Sequence, residues 1–176
     1  MRKRILELLR NSGGEPVSGE EISRQLEVSR TAIWKHIQTL KNEGYDIESV
    51  PKKGYILKEA PNRLFPQEIL SRLQTKWLGH NICYRDSVDS SNNLAKALAN
   101  EGCENGLVVV AEEQGAGKGR LSRGWISPYA KGIWFSVVLK PPFLPQEASK
   151  CTLLAAVAVV KAINKIPGVQ AAIKWP

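Results

Sequence analysis

The chain has 176 residues, 43% hydrophobic and 24% charged, which is typical of a globular protein rather than a disordered one. No stretch approaches the ~18–20 apolar residues of a membrane span, and the basic start lacks the apolar core of a signal peptide. The three cysteines form no CxxC pair, so we expect reduced thiols in a cytoplasmic protein and no structural zinc. The net charge of +8 allows a phosphate-bearing partner, although an ordinary solvated surface can carry the same excess.

Three helices and a hairpin are predicted in the first sixty residues. Ser18 with Glu21 three residues later is a capping box that starts the second helix. Ser29 can cap the third helix, and Gly44 ends it. Two short segments, "DIESV" and "GYILK", flank a Pro-Lys-Lys turn and predict a two-stranded wing. The apolar residues at helical spacing are Ile5, Leu8, Leu9, Ile22, Leu26, Ile33, Ile37 and Leu40.

This order of elements matches the winged helix-turn-helix plan, whose second motif helix lies in the major groove of DNA. Arg and Gln side chains can read base edges, and lysines suit phosphates. We expect Glu20, Glu21 and Glu27 to lie off the reading face, and Trp34 either to touch DNA or to pack against the wing. The alternative is a three-helix bundle for protein contacts. The predicted DNA-binding residues are Ser29, Arg30, Thr31, Trp34, Lys35, Gln38, Lys52 and Lys53.

A domain boundary is predicted near residue 60, where "KEAPNRLFPQE" carries two prolines and no strong period. It separates a winged helix-turn-helix domain, 1–60, from a second domain, 61–176. Pro66 fits the first turn of a helix, whose predicted core face is Ile69, Leu70 and Leu73. Further on, "SSNNLAKALANEG" and "PQEASKCTLLAAVAVVKAINKI" are predicted helices, the latter sandwiched. The predicted strands are "NICYRD", "GLVVVAEE", "GIWFSVVLK" and "VQAAIKWP". The fold class is therefore α+β, a helical domain followed by a mixed α/β sheet.

The segment "AEEQGAGKGRLSRGW" combines alternating glycines, three basic residues and a tryptophan after an apolar run. It lacks the glycine spacing of a Walker loop and of a dinucleotide fingerprint. Alternating glycines let backbone amides approach a ligand, the cations suit an anion, and a tryptophan can stack on a purine. We expect a loop that is mobile when empty and ordered by an anion; a flexible basic surface loop is the alternative. The candidate residues are Gln114, Gly115, Gly117, Lys118, Gly119, Arg120, Arg123 and Trp125.

These motifs together resemble the biotin protein ligases. "GAGKGRLSRGW" is similar to their GRGRxxRxW signature, "DSSNN" at 89–93 to their DS(T/S)N motif, and "KWP" at 174–176 to the start of their KWPND motif. "SGEEIS", "SRTAIWKHIQTL" and "VPKKGY" resemble the DNA-binding domain of the bifunctional ligases that also repress biotin synthesis. Lys118 departs from the family, which usually has arginine there, so the charge is kept without the planar fork.

The resemblance implies a biotin–[biotin carboxyl carrier protein] ligase with a class II synthetase-like catalytic domain. Such an enzyme converts biotin and ATP to biotinyl-5′-adenylate and then transfers the biotinyl group to a carrier-protein lysine. It implies biotin, ATP and Mg²⁺ as ligands, although no acidic cluster marks a metal site. In bifunctional members the adenylate is also the corepressor and promotes a homodimer on operator DNA. Two alternatives stay open: a winged-helix transcription factor that senses a ligand without ligase activity, and a lipoate-type ligase or acyltransferase.

The resemblance also implies roles for individual residues. Lys118 and Arg120 would hold the carboxylate and phosphate groups as the catalytic pair, because two approaching anions need cations between them. The implied nucleotide-binding residues are Gly117, Arg123 and Trp125. The implied biotin-binding residues are Ser90, Ser91, Asn92, Gln114, Lys118, Gly119 and Arg120, of which Ser90 or Ser91 can also cap the following helix. The family continues past "KWP" with a catalytic lysine and a small barrel, so we expect a truncated chain that binds biotin weakly at best.

Overall fold

The computed structural model describes residues 1–119, 121 and 123–174. The chain forms two compact units, Met1–Leu139 and Lys140–Pro176, each described by itself below. The boundary predicted near residue 60 lies within the first of these units and stays a prediction. In the described part of the chain, no helix is both long and apolar enough to cross a membrane.

Three helices and a hairpin form the first part of the larger unit, as predicted. The Ser18 hydroxyl accepts from the Glu21 amide at 3.0 Å, and the Ser29 hydroxyl accepts from the Ala32 amide at 3.2 Å. These two caps start the second and third helices, because they satisfy amides that a helix leaves unpaired. The elements are α1 (Arg2–Asn11), α2 (Gly19–Leu26), α3 (Arg30–Asn42), β1 (Asp46–Val50) and β2 (Gly54–Glu59).

The predicted helical core is confirmed except in α1. Leu8 is only half-buried, whereas Leu6 is fully buried and takes its place. The reason is the rotation of α1, which turns Ile5, Leu6 and Leu9 inward. The other predicted positions are buried, namely Ile22, Leu26, Ile33, Ile37 and Leu40.

The wing is fastened to the segment that precedes α2. Val17 and Tyr55 exchange two backbone hydrogen bonds of 3.0 and 2.9 Å. Gly54 has φ +126°, and a Cβ on it would lie 2.1 Å from the Val17 carbonyl oxygen. A side chain therefore cannot fit at position 54 while β2 stays paired with Val17.

A short helix, α4 (Pro66–Arg72), connects the helical core to the sheet. The prediction that Ile69, Leu70 and Leu73 form the core face of this helix was wrong, because all three are only half-buried. Polar contacts hold the helix instead, with Glu68 between α1 and the end of α3. Both Glu68 oxygens lie 2.7 Å from Arg10 Nη2, and the Tyr45 hydroxyl donates to Glu68 Oε1 at 2.7 Å.

The remaining elements of the larger unit form a mixed sheet with one covering helix. They are β3 (Ile82–Val88), α5 (Ser91–Asn100), β4 (Val108–Lys118), β5 (Gly124–Ser127) and β6 (Trp134–Val137). Strand β4 is central: it is parallel to β3 and antiparallel to both β5 and β6. Helix α5 packs on this sheet through Ala95, beside the buried Leu107 and Val109. The α+β class, with a mixed sheet after the helical domain, is thus confirmed.

The glycine-basic segment is not the loop that we predicted, since β4 continues to Lys118 and pairs with β5. The register shifts between Gln114 and Gly117, which accommodates the close-packed glycine backbone in a bulge. The segment therefore forms the end of β4, the turn and the start of β5 in a β-hairpin, whose described turn residues are 119, 121 and 123.

The smaller unit holds a short 3₁₀ turn (Pro145–Glu147) and one helix, α6 (Ser149–Ile163). The prediction that this helix is sandwiched was wrong, because none of its residues is buried. The strand predicted from Val169 is also absent over residues 169–174. The Asn164 side chain bonds both backbone groups of Ala171 there, in place of a neighbouring strand. The last two residues of that prediction, 175 and 176, lie outside the described residues.

Candidate ligand site and DNA-binding surface

A cavity of about 510 Å³ lies where the start of α5 faces the β4–β5 hairpin. It brings together six of the seven residues implied to bind biotin, and Trp125 lines it as well. Arg120, the seventh, lies outside the described residues. The predicted residues that line the cavity are Ser90, Ser91, Asn92, Gln114, Lys118, Gly119 and Trp125.

The two other residues implied to bind nucleotide lie elsewhere on the hairpin. Gly117 lines a second cavity, of about 540 Å³, together with Gly115, Ile126 and Ser127. Arg123 is exposed in the turn, where its carbonyl accepts from the Gly119 amide at 2.7 Å. The hairpin thus separates two concave surfaces, and Trp125 borders both.

Ser90 and Ser91 are both buried, at 3% and 4% exposure. Ser90 occupies the N-cap position of α5, but its side chain makes no capping bond. The Ser91 amide instead donates to Gln114 Oε1 at 2.8 Å, and the Ser91 hydroxyl lies 2.9 Å from the Ser136 hydroxyl. The Ser90 hydroxyl is therefore not committed to capping, which favours the ligand interpretation for this residue.

Gln114 is held from two sides. Its Oε1 accepts from Ser91, and its Nε2 donates to the Ser127 hydroxyl at 3.0 Å. Gly117 packs against the same hydroxyl, since a Cβ on Gly117 would lie 2.9 Å from it and 2.5 Å from the Trp125 carbonyl oxygen. Glycine at 117 is thus required by close packing across the hairpin.

Among the residues that the structure describes, Lys118 supplies a positive charge to the lining of the cavity. Its Nζ donates to Asn93 Oδ1 at 3.0 Å, and both side chains are exposed. A partly solvated ammonium can turn toward an anionic ligand at little cost, because an exposed polar contact is weak. Trp125 is 59% exposed at the rim, so much of its surface is accessible to a ligand that could stack on the ring.

Several residues of the site were missed in the sequence. Asn93 ends the "DSSNN" motif, which offered a signal through the resemblance. Four others belong to "GIWFS", which predicted only a strand, and the sixth is a serine in β5. The missed residues are Asn93, Ser127, Ile133, Trp134, Phe135 and Ser136.

A buried carboxylate, Glu112, lies two residues before Gln114 on β4 and is 1% exposed. Its Oε1 accepts from the Leu64 amide at 2.8 Å and from the Tyr84 hydroxyl at 3.1 Å. The Arg63 Nε lies 3.1 Å from the same oxygen, close enough for an ion pair but without hydrogen-bond alignment. This cluster fastens the connection from the helical domain to the central strand of the sheet.

The electrostatics of that cluster follow from its burial. Burial raises the pKa of Tyr84 well above its ordinary value, against the hydrogen bond from Arg63, which lowers it. The pKa of Arg63 is also raised: burial opposes the charge, but the hydrogen bond to the Tyr84 hydroxyl and the nearby Glu112 carboxylate outweigh it. Tyr84 therefore stays neutral and Arg63 charged at neutral pH.

The predicted DNA-binding residues lie around a groove of about 780 Å³ between α3 and the wing. Arg30, Thr31 and Trp34 line it from the helix, and Lys52 and Lys53 from the wing. Trp34 is 53% exposed beside the wing, which leaves both of its interpretations open. The other predicted residues are exposed or half-buried on α3 and its cap: Ser29, Lys35 and Gln38.

One acidic residue contradicts its predicted position. Glu20 lines the groove instead of lying off the reading face, because the N-terminus of α2 forms one wall of it. Glu27, by contrast, ends α2 with φ 56° and is exposed in the turn. No group of three or more His, Cys, Asp or Glu side chains that could hold a metal ion occurs among residues 1–119, 121 and 123–174.

The fold defines a class of protein: a winged helix-turn-helix joined to a mixed sheet that carries two cavities. Comparison of the sequence with protein families gives the same division. A profile described as "HTH domain" matches residues 2–56, and one described as "Biotin/lipoate A/B protein ligase family" matches residues 84–176. The chain belongs to the biotin/lipoate A/B protein ligase family.

The similar relatives include four named "Bifunctional ligase/repressor BirA". The one from Bacillus spizizenii is 45% identical over 176 residues, which are 100% of this chain and 54% of the relative. The one from Escherichia coli is 33% identical over 173 residues, 98% of this chain and 52% of the relative. The chain thus spans about half the length of the curated relatives it matches.

A solved structure with a similar region is the biotin protein ligase from Aquifex aeolicus in complex with biotin and ATP. It is 30% identical, with a TM-score of 0.43 over 55% of this chain and 40% of that chain.

Proposed function

We propose that the protein is a biotin protein ligase that also acts as a DNA-binding repressor of biotin genes. The observation that carries the proposal is the cavity lined by Ser90, Ser91, Gln114 and Lys118, which are separated in sequence and matched to the family's motifs. A protein of this kind works in the cytoplasm, with reduced thiols, on ATP and on DNA. The 61–176 segment would be the N-terminal part of its catalytic domain.

The proposed first reaction joins biotin to the adenylyl group of ATP. A biotin carboxylate oxygen attacks the α-phosphorus, and pyrophosphate leaves as biotinyl-5′-adenylate forms. Lys118 and Arg120 would lower the repulsion between the two anions, because a cation stabilises negative charge most where water is excluded. Mg²⁺ would arrive with the ATP phosphates, whose charge it neutralises.

The proposed second reaction transfers the biotinyl group to a carboxyl carrier protein. The amine of a carrier lysine attacks the acyl carbon, an amide bond forms, and AMP leaves. Trp125 would cover the adenine, and Arg123 and Gly117 would lie near the nucleotide. Ser90, Ser91, Asn92 and Gln114 would hold the ureido ring, which needs both donors and acceptors.

The proposed repressor activity uses the groove between α3 and the wing. Biotinyl-5′-adenylate would act as corepressor and favour a homodimer on operator DNA. If both ligand and dimerisation stabilise the ordered hairpin, each strengthens the other by the same factor.

We expect Lys118→Ala to weaken biotinyl-5′-adenylate binding at least tenfold, since a charged hydrogen bond contributes about 1.5–3 kcal/mol. The measurement is isothermal titration calorimetry of biotin and of biotinyl-5′-adenylate with the protein at its full natural length. Lys96→Ala is the matched control, because Lys96 is exposed on α5 and does not line the cavity. Equal binding by the wild type and Lys118→Ala would contradict the proposal that the ligand binds in this cavity. Biotin binding without ATP-dependent pyrophosphate release would favour the transcription factor that senses biotin without consuming ATP.

The DNA-binding proposal predicts two different responses from helix and wing. Arg30→Ala should reduce the free energy of binding to DNA from the promoters of biotin-synthesis genes by about 1–3 kcal/mol, and it should relax the sequence preference. Lys53→Ala should weaken binding to all DNA sequences alike. It should also reduce the slope of log affinity against log salt concentration by about 1. The measurement is fluorescence anisotropy at several salt concentrations, with Arg24→Ala as control, because Arg24 is exposed on α2 away from the groove. An Arg24 effect as large as the Arg30 effect would refute the assigned surface.

A further inference from the structure

Four groups form a chain of hydrogen bonds across the β4–β5 hairpin. The Ser91 amide donates to Gln114 Oε1 at 2.8 Å, and Gln114 Nε2 donates to the Ser127 hydroxyl at 3.0 Å. The Ser127 hydroxyl then donates to the Trp125 carbonyl oxygen at 3.4 Å. The chain therefore runs from the start of α5, through the Gln114 side chain, to the backbone of Trp125.

The two ends of this chain fix its direction. A backbone amide can only donate and a backbone carbonyl can only accept. With its proton directed to Trp125, the Ser127 hydroxyl offers a lone pair to Gln114, so the NH₂ group must face it. At the other side, the Ser91 amide requires the carboxamide oxygen. Both constraints select the same orientation of the Gln114 carboxamide, whose oxygen and NH₂ group have nearly the same shape.

Ser127 does not line the cavity of about 510 Å³, although Gln114 lines both cavities. Ser127 is 3% exposed and lines the opposite side of the hairpin, beside Gly117. A ligand in the cavity of about 510 Å³ is therefore met by Gln114 and not by Ser127. Any effect of Ser127 on such a ligand must pass through the Gln114 carboxamide or through the Trp125 backbone.

We propose that Ser127 is a positioning residue that, together with the Ser91 amide, sets which end of the Gln114 carboxamide presents its donor and which its acceptor to the ligand. The inference rests on the proposed function, because the ligand whose polarity it would match is the ureido group of biotin. A ureido group places an acceptor oxygen between two N–H donors. A carboxamide held in one orientation can place its NH₂ group against the ureido oxygen or its own oxygen against a ureido N–H. If the carboxamide is turned by 180°, its donor faces the ureido donor instead.

The test compares biotin with 2-iminobiotin, in which a nitrogen that can donate replaces the ureido oxygen. Binding of both to the protein at its full natural length is measured by calorimetry. In Ser127→Ala only the Ser91 amide still fixes the orientation of the Gln114 carboxamide, which then turns more readily, so biotin should bind about five- to tenfold more weakly, the range of one lost hydrogen bond. The preference for biotin over 2-iminobiotin should fall by a similar factor, because the turned amide suits the analogue better.

Three further variants separate positioning from general loosening. Ser87→Ala removes an exposed serine from β3 of the same sheet and should leave both affinities unchanged. Ser127→Thr keeps the hydroxyl and should retain the wild-type preference, with thermal unfolding confirming that each variant folds. In a Gln114→Ala background, Ser127→Ala should have no further effect, since interacting residues are not additive.

The outcomes are distinguishable from failure of the proposed function. A wild-type protein that binds no biotin overturns the proposed function and this inference with it. A wild type that binds biotin, with Ser127→Ala weakening both ligands equally, overturns the inference alone. Additive effects of Ser127→Ala and Gln114→Ala, or loss of the preference in Ser127→Thr, also overturn it.

Discussion

Replacing Gly54 with alanine should destabilise the helical domain by about 2–5 kcal/mol, the sum of backbone strain and steric overlap. The new Cβ would lie 2.1 Å from the Val17 carbonyl oxygen and 2.7 Å from the Ser18 Cα. Both contacts are with backbone, so no side-chain rotation can relieve them. With φ at +126°, alanine is unfavourable at this position even without those neighbours.

The measurement is equilibrium unfolding in urea, and Gly13→Ala is the matched control. Gly13 also has a positive φ, +64°, but a Cβ there meets nothing within 4 Å. It should therefore lose only about 1–2 kcal/mol, the cost of the left-handed conformation. Equal losses in the two variants would show that the wing is not held against Val17. Gly54→Ala should also abolish DNA binding, because the wing lysines move with β2.

Removing the buried carboxylate by Glu112→Ala should cost about 3 kcal/mol of stability. The substitution leaves the Arg63 charge without its buried partner and the Leu64 amide without an acceptor. This expected loss of stability is at the lower end of the range for a broken buried ion pair, because the Arg63 side chain is 21% exposed and also contacts Asp86.

Thermal and urea unfolding of Glu112→Ala and Glu113→Ala provides the comparison. Glu113 is the next residue of β4 and is half-buried, so its removal should cost less than 1 kcal/mol. Glu112→Gln should fall between the two, since an amide can still accept from Leu64 and Tyr84 but carries no charge. A Glu112→Ala variant as stable as Glu113→Ala would mean that the cluster contributes nothing net.

The helical domain could be predicted from sequence because its signals are local. Ser18 and Ser29 each bond an amide three residues later, and such caps are visible as short motifs. The phase of α1 could not be read in the same way. Four of the five residues from Ile5 to Leu9 are apolar, so spacing alone leaves two faces possible. Contact with the rest of the core selects the face that contains Leu6.

The candidate ligand site could be predicted only in part, for a different reason. Its motif residues carry a resemblance, but Ser127 and Ser136 become important only through strand pairing distant in sequence. Alternating glycines read as a loop, since glycine weakens strands in general. In this chain they permit a strand, because Gly117 approaches Trp125 more closely than any side chain would allow.

The Arg63–Glu112 connection has a consequence for how an operator could be built. A flexible tether would let the two reading helices of a dimer reach sites at many separations. Here the connecting segment is bonded to the sheet at Leu64, while Phe65 is part of the helical core. In the proposed dimer the distance between reading helices would therefore be set by the protein. Its half-sites would have to be separated by a fixed number of base pairs, on one face of the double helix.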